Sequence, residues 1–360
     1  MKIVIIIVVC YKIGQREDHT VIVAAGFMSY PKYIVPDYME REMPIRFSSK
    51  ELRTVTNNFT NLLSAGGCGA VYKGISSSGQ SVAVKIINGS SDKRMVEQFM
   101  EELDTIGRIH HPNLVHLYGF CFERDVRALV YEYEVIGSLD RFLTHENMTI
   151  GFMKLHEIAV GTAKGIAYLH EECQLKIIHY DIKPENILLD ARFVPKVANF
   201  GSVKLCNKDS IHVMSGGSWT PGYFAPELWL PFPVTRKCDV YSFGMVLTEI
   251  IKSKKADINL PESQEWFPNW VWNKFVKGEL VDILTICGIE EKDREMAERM
   301  VKVALWCVQY APESRPSMSL VVKMLDGRMN IPTPTNPFPH LTTVTPPNLI
   351  NGTSSTGNRL

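Results

Sequence analysis

One stretch of this 360-residue chain decides both its fold and its chemistry: His179-Tyr180-Asp181-Ile182-Lys183-Pro184-Glu185-Asn186-Ile187-Leu188-Leu189-Asp190. It places a carboxylate at Asp181, a lysine two residues later at Lys183, and an amide at Asn186, immediately before an apolar run. A carboxylate can accept a hydroxyl proton, a lysine can neutralise a phosphate, and an amide oxygen can bind a metal ion. The stretch therefore predicts phosphoryl transfer.

A glycine-rich stretch lies upstream, Ser64-Ala65-Gly66-Gly67-Cys68-Gly69-Ala70-Val71. Glycines let backbone amides approach a phosphate closely, because no Cβ intervenes. Gly66, Gly69 and Val71 match the phosphate-covering pattern G-x-G-x-x-G-x-V, while Ser64 occupies the position of its first glycine. Taken alone, the stretch is equally compatible with an ordinary tight turn.

A candidate phosphate-binding lysine follows the glycines. Residues 81–87 alternate between two faces, which predicts a β-strand carrying Lys85. A lysine on such a strand can hold the α- and β-phosphates of a nucleotide if a carboxylate fixes its position. The spacing of apolar residues in the following helix favours Glu102 as that carboxylate over the neighbouring Glu101. The alternative for Lys85 alone is a surface lysine whose stem covers apolar residues.

With these motifs in place, the chain resembles the eukaryotic protein kinases. Further family motifs follow in the family's order, so that the resemblance covers about residues 59 to 326: Asn199-Phe200-Gly201, Ala225-Pro226-Glu227, Asp239-Val240-Tyr241-Ser242-Phe243-Gly244 and Arg315-Pro316. Other stretches are similar to plant receptor-like kinases of the rust-resistance and thaumatin-receptor-like type: Ile106-Gly107-Arg108-Ile109-His110-His111, Gly119-Phe120-Cys121, Gly137-Ser138-Leu139-Asp140 and Trp306-Cys307-Val308-Gln309. The resemblance implies an α+β, bilobal protein kinase-like fold, with a small β-rich N-lobe and a larger helical C-lobe. It also implies transfer of the ATP γ-phosphate to protein serine or threonine hydroxyls.

The resemblance further implies individual roles. Asp181 would be the catalytic base, Lys183 the phosphate-neutralising lysine of serine/threonine kinases, and Lys85 with Glu102 the ion pair that anchors the nucleotide. The implied cofactors are ATP and Mg²⁺ or Mn²⁺, with Asn186 and Asn199 as metal ligands. Tyr131 would be the gatekeeper, and Glu132 to Glu134 the hinge that hydrogen-bonds adenine. The implied nucleotide-binding residues are Ser64, Gly66, Gly69, Val71, Ala83, Lys85, Tyr131, Glu132, Glu134 and Leu188. Glu227 and Arg315 would form a buried ion pair.

Four departures from the family pattern affect the expected function. Tyr180 replaces the arginine that precedes the catalytic aspartate, which implies little dependence on a phosphate in the activation loop. Ser64 replaces a glycine, and Trp219 stands before the substrate-loop Thr220, where a glycine is usual. Asn199 replaces the metal-binding aspartate, and Mg²⁺ prefers anionic oxygen. A pseudokinase, acting as an ATP-binding or scaffolding signalling module, is therefore the rival prediction.

Composition narrows the remaining classes of protein. Lys plus Arg and Asp plus Glu both total 39, so no net field favours nucleic acid. None of the eight cysteines forms a Cys-x-x-Cys pair, which favours reduced thiols over a zinc or disulfide framework. A P-loop enzyme is disfavoured because no Gly-Lys-Ser/Thr follows the glycines.

The predicted domains begin with residues 1–13, a candidate remnant of a transmembrane helix. Its apolar run, 3–11, is shorter than the ~20 residues that a bilayer requires. A buried strand and a signal-peptide core are the alternatives, and the cytosolic character of the following sequence disfavours the second. A juxtamembrane linker follows at 14–58. The kinase domain is expected at 59–326, with the N-lobe at 59–131 and the C-lobe at 135–326. Residues 327–360 would be a disordered Pro/Thr-rich tail.

These assignments also predict partners and a location. The expected partners are ATP and proteins that carry Ser or Thr substrates, with no nucleic acid among them. A longer native N-terminus would associate the protein with the membrane. The kinase domain would face the cytoplasm at the plasma membrane, or lie in the cytoplasm if the chain as given is complete.

Overall fold

The computed structural model describes residues 44–66, 69–87, 93–144, 148–173, 176–202, 204–205, 222–229, 233–252 and 266–341. Several predictions fall outside these residues. They concern the membrane remnant at 1–13, the tip of the glycine-rich stretch at Gly67 and Cys68, and the substrate-loop residues Trp219 and Thr220.

The N-terminal part of the described chain is built on one six-stranded sheet. Its strands are Ile45–Arg46 (β1), Leu62–Gly66 (β2), Gly69–Ile75 (β3), Ser81–Ile87 (β4), Leu117–Phe122 (β5) and Arg127–Glu132 (β6). Their order across the sheet is β1-β5-β6-β4-β3-β2, and every pair is antiparallel except β1 with β5. Helix α2, Lys93–Ile106, follows β4 and buries Phe99 and Leu103 in the main core.

The alternation that predicts strand β4 is confirmed. Val82 and Val84 are buried in a cluster on one face of the sheet. Ile87 points to the other face and joins the main core with Phe99. Because successive side chains of a strand point to opposite faces, Ala83 and Lys85 share the face of Ile87.

The predicted linker at 14–58 requires a correction over residues 44–58. Strand β1 pairs with β5, and Ser49–Val55 forms helix α1. Ser48 caps α1 by accepting a hydrogen bond from the Glu51 amide, and the Glu51 carboxylate accepts the Ser48 amide in return. Leu52 is fully buried against the outer face of the sheet. These residues belong to the N-lobe because they cover a sheet face that would otherwise expose valines.

The C-terminal part is mainly helical. Its helices are Asp140–Thr144 (α3), Phe152–Ala167 (α4), Lys237–Lys252 (α5), Phe267–Val276 (α6), Leu280–Ile286 (α7), Arg294–Cys307 (α8) and Met318–Leu325 (α9). A π-helical turn, Tyr168–Glu172, extends α4. The described residues of this part also form two small sheets. One consists of Gly137–Ser138 (β7), Ile187–Leu189 (β9) and Pro195–Val197 (β10), and the other of Ile177–Ile178 (β8) and Lys204–Leu205 (β11). The predicted bilobal α+β architecture is confirmed.

The predicted disordered tail also requires a correction, because residues 327–341 pack on the C-lobe. Phe338 is 2% exposed and contacts the Trp266 ring edge-on, at 4.9 Å between ring centres. The Trp306 indole donates a hydrogen bond of 2.9 Å to the Pro332 carbonyl. Thr335 and Gln309 exchange two hydrogen bonds, each of 2.9 Å. Residues 342–360 lie outside the described chain.

Within the described ranges, none of the helices combines the length and the apolar character that a membrane crossing requires.

Candidate active site

An ion pair connects the sheet to helix α2. Lys85 Nζ lies 2.8 Å from Oε2 and 3.0 Å from Oε1 of Glu102, whereas Glu101 is exposed. Tyr131 Oη donates a hydrogen bond of 2.5 Å to the same carboxylate. Burial, together with the neighbouring Glu102 charge, raises the pKa of Tyr131 well above its ordinary value, so its hydroxyl stays protonated. The Lys85 ammonium group on β4 is therefore held in place by Glu102 on α2, and Tyr131 on β6 holds that carboxylate in turn.

Strand register places four of the predicted nucleotide-binding residues on one face. Val71 pairs with Lys85, and Ala83 pairs with Tyr131. Directly paired residues share a face, as do residues two apart on a strand, so Val71, Ala83, Lys85 and Tyr131 line the same side of the sheet. Leu188 lies half-buried on β9, between two buried neighbours.

The described residues of the glycine-rich stretch lie on β2 and β3, which pair with each other. Ser64 pairs with Val71, and Gly66 pairs with Gly69. Gly69 has φ +142°, and a Cβ there would lie 1.9 Å from the Ile86 carbonyl oxygen. The backbone of β4 therefore excludes any side chain at position 69. Ser64 is exposed, which is compatible with a small polar residue at the predicted first-glycine position.

Asp239 on α5 anchors the loop between β8 and β9, residues 179–186. The Asp239 carboxylate accepts hydrogen bonds of 2.8 Å from the backbone amides of His179 and Tyr180, and binds His170 Nε2 at 2.8 Å. Tyr180 adopts the left-handed conformation, with φ 64°. Burial lowers the pKa of His179, whose neutral ring donates from Nε2 to the Ala198 carbonyl. This loop therefore has a fixed shape.

Asp181 lies at the centre of the anchored loop and contacts three side chains. Lys183 Nζ lies 3.1 Å from Oδ1. Asn186 Nδ2 donates hydrogen bonds of 2.7 Å to Oδ2 and to the Asp181 carbonyl oxygen. Asn199 Nδ2 lies 3.2 Å from Oδ2 of Asp181 and 3.3 Å from Oδ1 of Asn186. The structure thus assembles the residues predicted as catalytic base, phosphate-binding lysine and metal ligands.

The predicted hinge carries an additional cation that sequence reasoning missed. Lys196 Nζ, on β10, lies 2.8 Å from both oxygens of Glu132 and 3.6 Å from Oε1 of Glu134. Burial works to lower the pKa of Lys196, but the hydrogen bond and charge of Glu132 outweigh it, and the pKa is raised. Burial and the Glu132 charge raise the pKa of Glu134 to about 7. Both hinge carboxylates are therefore directed to the C-lobe.

Comparison with known proteins identifies this arrangement. Residues 58–325 match the family model described as protein tyrosine and serine/threonine kinase. The chain belongs to the protein kinase family. Such domains generally use ATP and a divalent cation.

Among curated proteins, this kinase is similar to plant receptor-like kinases, as predicted. It is 40% identical over 303 residues to the PR5-like receptor kinase of Arabidopsis thaliana, covering 81% of this chain and 45% of the relative. It is 40% identical over 307 residues to the rust resistance kinase Lr10 of Triticum aestivum, covering 82% and 48%. The G-type lectin S-receptor-like serine/threonine-protein kinase SD2-5 of Arabidopsis thaliana is 43% identical over 291 residues, covering 79% and 35%. The chain thus spans less than half the length of each of these relatives.

The donor set of this kinase does not fit a divalent cation well. Mg²⁺ favours anionic oxygen, but both predicted ligands, Asn186 and Asn199, are neutral amides. The Asn186 oxygen already accepts a hydrogen bond from Asn199, and the nearby Asp181 carboxylate accepts from both amides and pairs with Lys183. Within the described ranges, no group of three or more His, Cys, Asp or Glu side chains could hold a metal.

The tyrosine that replaces the family's arginine has an apolar role. Tyr180 is buried in a cluster that also contains Ala225, Tyr241 and Phe338. An arginine side chain would introduce a buried charge among these residues, so Tyr180 fits a loop that is held by packing. The C-terminal segment contributes Phe338 to this same cluster.

A buried ion pair joins the Ala225-Pro226-Glu227 motif to the C-terminal helices. Arg315 binds Glu227 through two hydrogen bonds, of 2.6 and 2.8 Å, and both side chains are inaccessible to solvent. The guanidinium also donates to the carbonyl oxygens of Gln309, Lys237 and Tyr310. Every Arg315 nitrogen therefore has a partner, which compensates for the burial of the charge.

Lys196 and Asp239 were missed for related reasons. Lys196 contacts a strand more than sixty residues away, and only its place between buried Pro195 and Val197 signals an unusual lysine. Asp239 lies in a motif of the sequence, but its contacts with the loop arise only because α5 packs against that loop.

Proposed function

We propose that this chain is the kinase region of a receptor-like serine/threonine protein kinase that binds ATP and transfers phosphate slowly. The observation that carries the proposal is the intact Lys85–Glu102 pair, in the same domain as a fixed Asp181–Lys183–Asn186 group. The first group suits the nucleotide phosphates, and the second suits the transferred phosphoryl group.

The chemistry follows from these side chains. A substrate hydroxyl oxygen attacks the γ-phosphorus of ATP while its proton passes to the Asp181 carboxylate. The bond between the γ-phosphorus and the β–γ bridging oxygen breaks, and ADP leaves. Lys183, 3.1 Å from Asp181, balances charge on the transferred group, and Lys85 holds the α- and β-phosphates.

Lys183 and the relatives together support serine and threonine as acceptors. Lysine at this position of the loop resembles serine/threonine kinases, and the SD2-5 relative is named as a serine/threonine-protein kinase. Residues 206–221, where a peptide substrate would dock, lie outside the described chain. The partners we propose are therefore ATP and proteins that present serine or threonine.

The same relatives support a cellular setting. Their names describe receptor kinases, which supports a plasma-membrane location with the kinase domain facing the cytoplasm. We expect the apolar run at 3–11 to belong to a membrane anchor that a longer native N-terminus completes.

Asn199 favours a second candidate function, that of a pseudokinase. Its amide nitrogen points at Asp181 and Asn186, where the family uses a carboxylate to hold a cation. A domain with this site can bind ATP, or present a surface to partners, without completing transfer.

Two measurements on the full chain test the proposal. ATP should raise the unfolding temperature, since a ligand at a hundred times Kd stabilises the folded state by about 2.7 kcal/mol. Lys85→Met should abolish that shift. Labelled ATP should phosphorylate a generic protein substrate slowly, but above the level of Asp181→Asn. Transfer equal to that of Asp181→Asn would support the pseudokinase, and no thermal shift at millimolar ATP would refute nucleotide binding.

A further inference from the structure

The catalytic carboxylate has two side-chain amides as neighbours. Oδ2 of Asp181 accepts hydrogen bonds from Nδ2 of Asn186 at 2.7 Å and from Nδ2 of Asn199 at 3.2 Å. The charge of the carboxylate fixes the orientation of both amides, because an amide oxygen turned towards it would be repelled. Both nitrogens therefore point towards Asp181.

The Asn199 amide also bridges to a second acceptor. Its Nδ2 lies 3.3 Å from Oδ1 of Asn186, the oxygen predicted to bind a metal. One NH₂ group thus donates to both the carboxylate and the amide oxygen. The Asn199 amide thus occupies the lone pair of the Asn186 oxygen that a bound cation would otherwise use.

An aspartate at position 199 would remove these hydrogen bonds. It has no hydrogen to donate, so its oxygens would face Oδ2 of Asp181 and Oδ1 of Asn186 without an intervening positive charge. Two carboxylates this close repel each other unless a cation lies between them. With asparagine, the three side chains satisfy one another without a cation.

Lysine side chains supply positive charge for a metal-free triphosphate. Lys85 and Lys183 are 13% and 18% exposed and are each paired with a carboxylate, Glu102 and Asp181 respectively. A partly buried lysine attracts an anion more strongly than one in bulk water, because less solvent screens it.

We propose that this kinase binds ATP free of divalent cation about as tightly as it binds the metal complex, because the Asn199 amide already occupies the Asn186 oxygen that was predicted to bind the cation. The inference rests on the proposed function in one respect, that ATP occupies the cleft beside Lys85. It goes further by naming the ionic form of the ligand. We expect this ability to bind ATP without a divalent cation to depend on the Asn199 side chain.

The test measures ATP affinity of the full chain by titration calorimetry, in EDTA and in MgCl₂. For wild type, we expect the two Kd values to agree within about threefold. For Asn199→Asp, we expect ATP to bind at least about tenfold more tightly with Mg²⁺ than in EDTA, because the added carboxylate requires a cation. Asn199 has a positive φ of 68°, and Asn58→Asp is a matched control because Asn58 is exposed and has a φ of 56°. This variant should behave as wild type.

A second readout needs no nucleotide. In EDTA, Asn199→Asp should unfold at a lower temperature than wild type, and Mg²⁺ alone should restore it, whereas wild type should not respond to Mg²⁺. This readout also shows whether the variant folds.

Wild-type ATP affinity that rises tenfold or more with Mg²⁺, as we expect for Asn199→Asp, overturns this inference and leaves the proposed function standing. Absence of ATP binding by wild type in both buffers overturns the inference and the proposed function together. Lys85→Met should remove binding in both buffers, and binding that survives in this variant overturns the inference, because the ligand then lies outside the cleft.

Discussion

The hydroxyl of Tyr131 donates a hydrogen bond of 2.5 Å to the Glu102 carboxylate, which also pairs with Lys85. Tyr131 and Lys85, the predicted gatekeeper and phosphate-binding lysine, thus share a single carboxylate, which is 1% exposed. A change at Tyr131 should therefore affect helix α2 as well as the nucleotide pocket.

Tyr131→Phe should lower the free energy of unfolding by about 1.5–3 kcal/mol, the usual net value of a hydrogen bond to a charged group. Urea unfolding measures this directly. Tyr118→Phe is the matched control, because the Tyr118 hydroxyl accepts its hydrogen bond from Gln80 at the surface. Equal losses of unfolding free energy in the two variants would show that the hydrogen bond to Glu102 stabilises the domain no more than the surface hydrogen bond does.

Arg315→Leu should destabilise the domain by about 3–5 kcal/mol, because it leaves the buried Glu227 carboxylate without a partner. Arg108→Leu removes an exposed pair with Asp104 and should cost about 1 kcal/mol or less. Denaturant midpoints of the two variants give the comparison. A small loss for Arg315→Leu would mean that solvent reaches Glu227.

Glu134→Gln should stabilise the domain more at high pH than at low pH. Burial and Glu132 raise the pKa of Glu134 from 4.5 to about 7, so the folded state holds a proton that the unfolded state has released. Stability is thus lost as pH rises from about 4.5 to about 7, and glutamine avoids this loss. Unfolding temperatures at about pH 5 and pH 8.5 test this, with exposed Glu101→Gln as the control. A benefit independent of pH would contradict the assignment.

Asn199→Asp should raise the rate of phosphate transfer by about a hundredfold or more, because it restores an anionic oxygen that Mg²⁺ prefers. Asp181→Asn should remove the activity that remains in wild type. Steady-state phosphorylation of a generic substrate measures both variants. Wild-type turnover of ~1 s⁻¹ or more, unchanged by Asn199→Asp, would show that the proposed slow transfer is wrong.

Phe338→Ala should destabilise the domain by about 3–5 kcal/mol, the usual cost of truncating a buried aromatic residue. Leu341→Ala, three residues later and 48% exposed, should have little effect. Calorimetric unfolding of the full chain measures both. Indistinguishable unfolding temperatures would mean that residues 327–341 do not contribute to the C-lobe core.

Sequence reasoning succeeded where the signal was local. The alternation along 81–87 predicts β4, and the spacing in the following helix selects Glu102 over Glu101. Motif order predicts the fold, because each motif occupies a fixed place in a known architecture.

It failed where the partner of a residue lies far away in the chain. Composition suggests disorder after Gly327, yet Phe338 finds its contact on Trp266, a residue that no local pattern connects to it. Lys196 similarly contacts the predicted hinge only because β10 lies beside Glu132. Such contacts depend on the shape and polarity of two surfaces that are far apart in the chain. The local spacing of apolar residues contains no information about them.

The Asp239 carboxylate has an evolutionary consequence. It satisfies two buried backbone amides at His179 and Tyr180 and the buried ring of His170, so its loss would impair folding whether or not the protein transfers phosphate. Selection for a folded domain alone would therefore preserve the backbone around Asp181. A lineage could lose catalysis and still carry a loop of unaltered shape, so the fixed backbone around Asp181 is not by itself a sign of phosphate transfer.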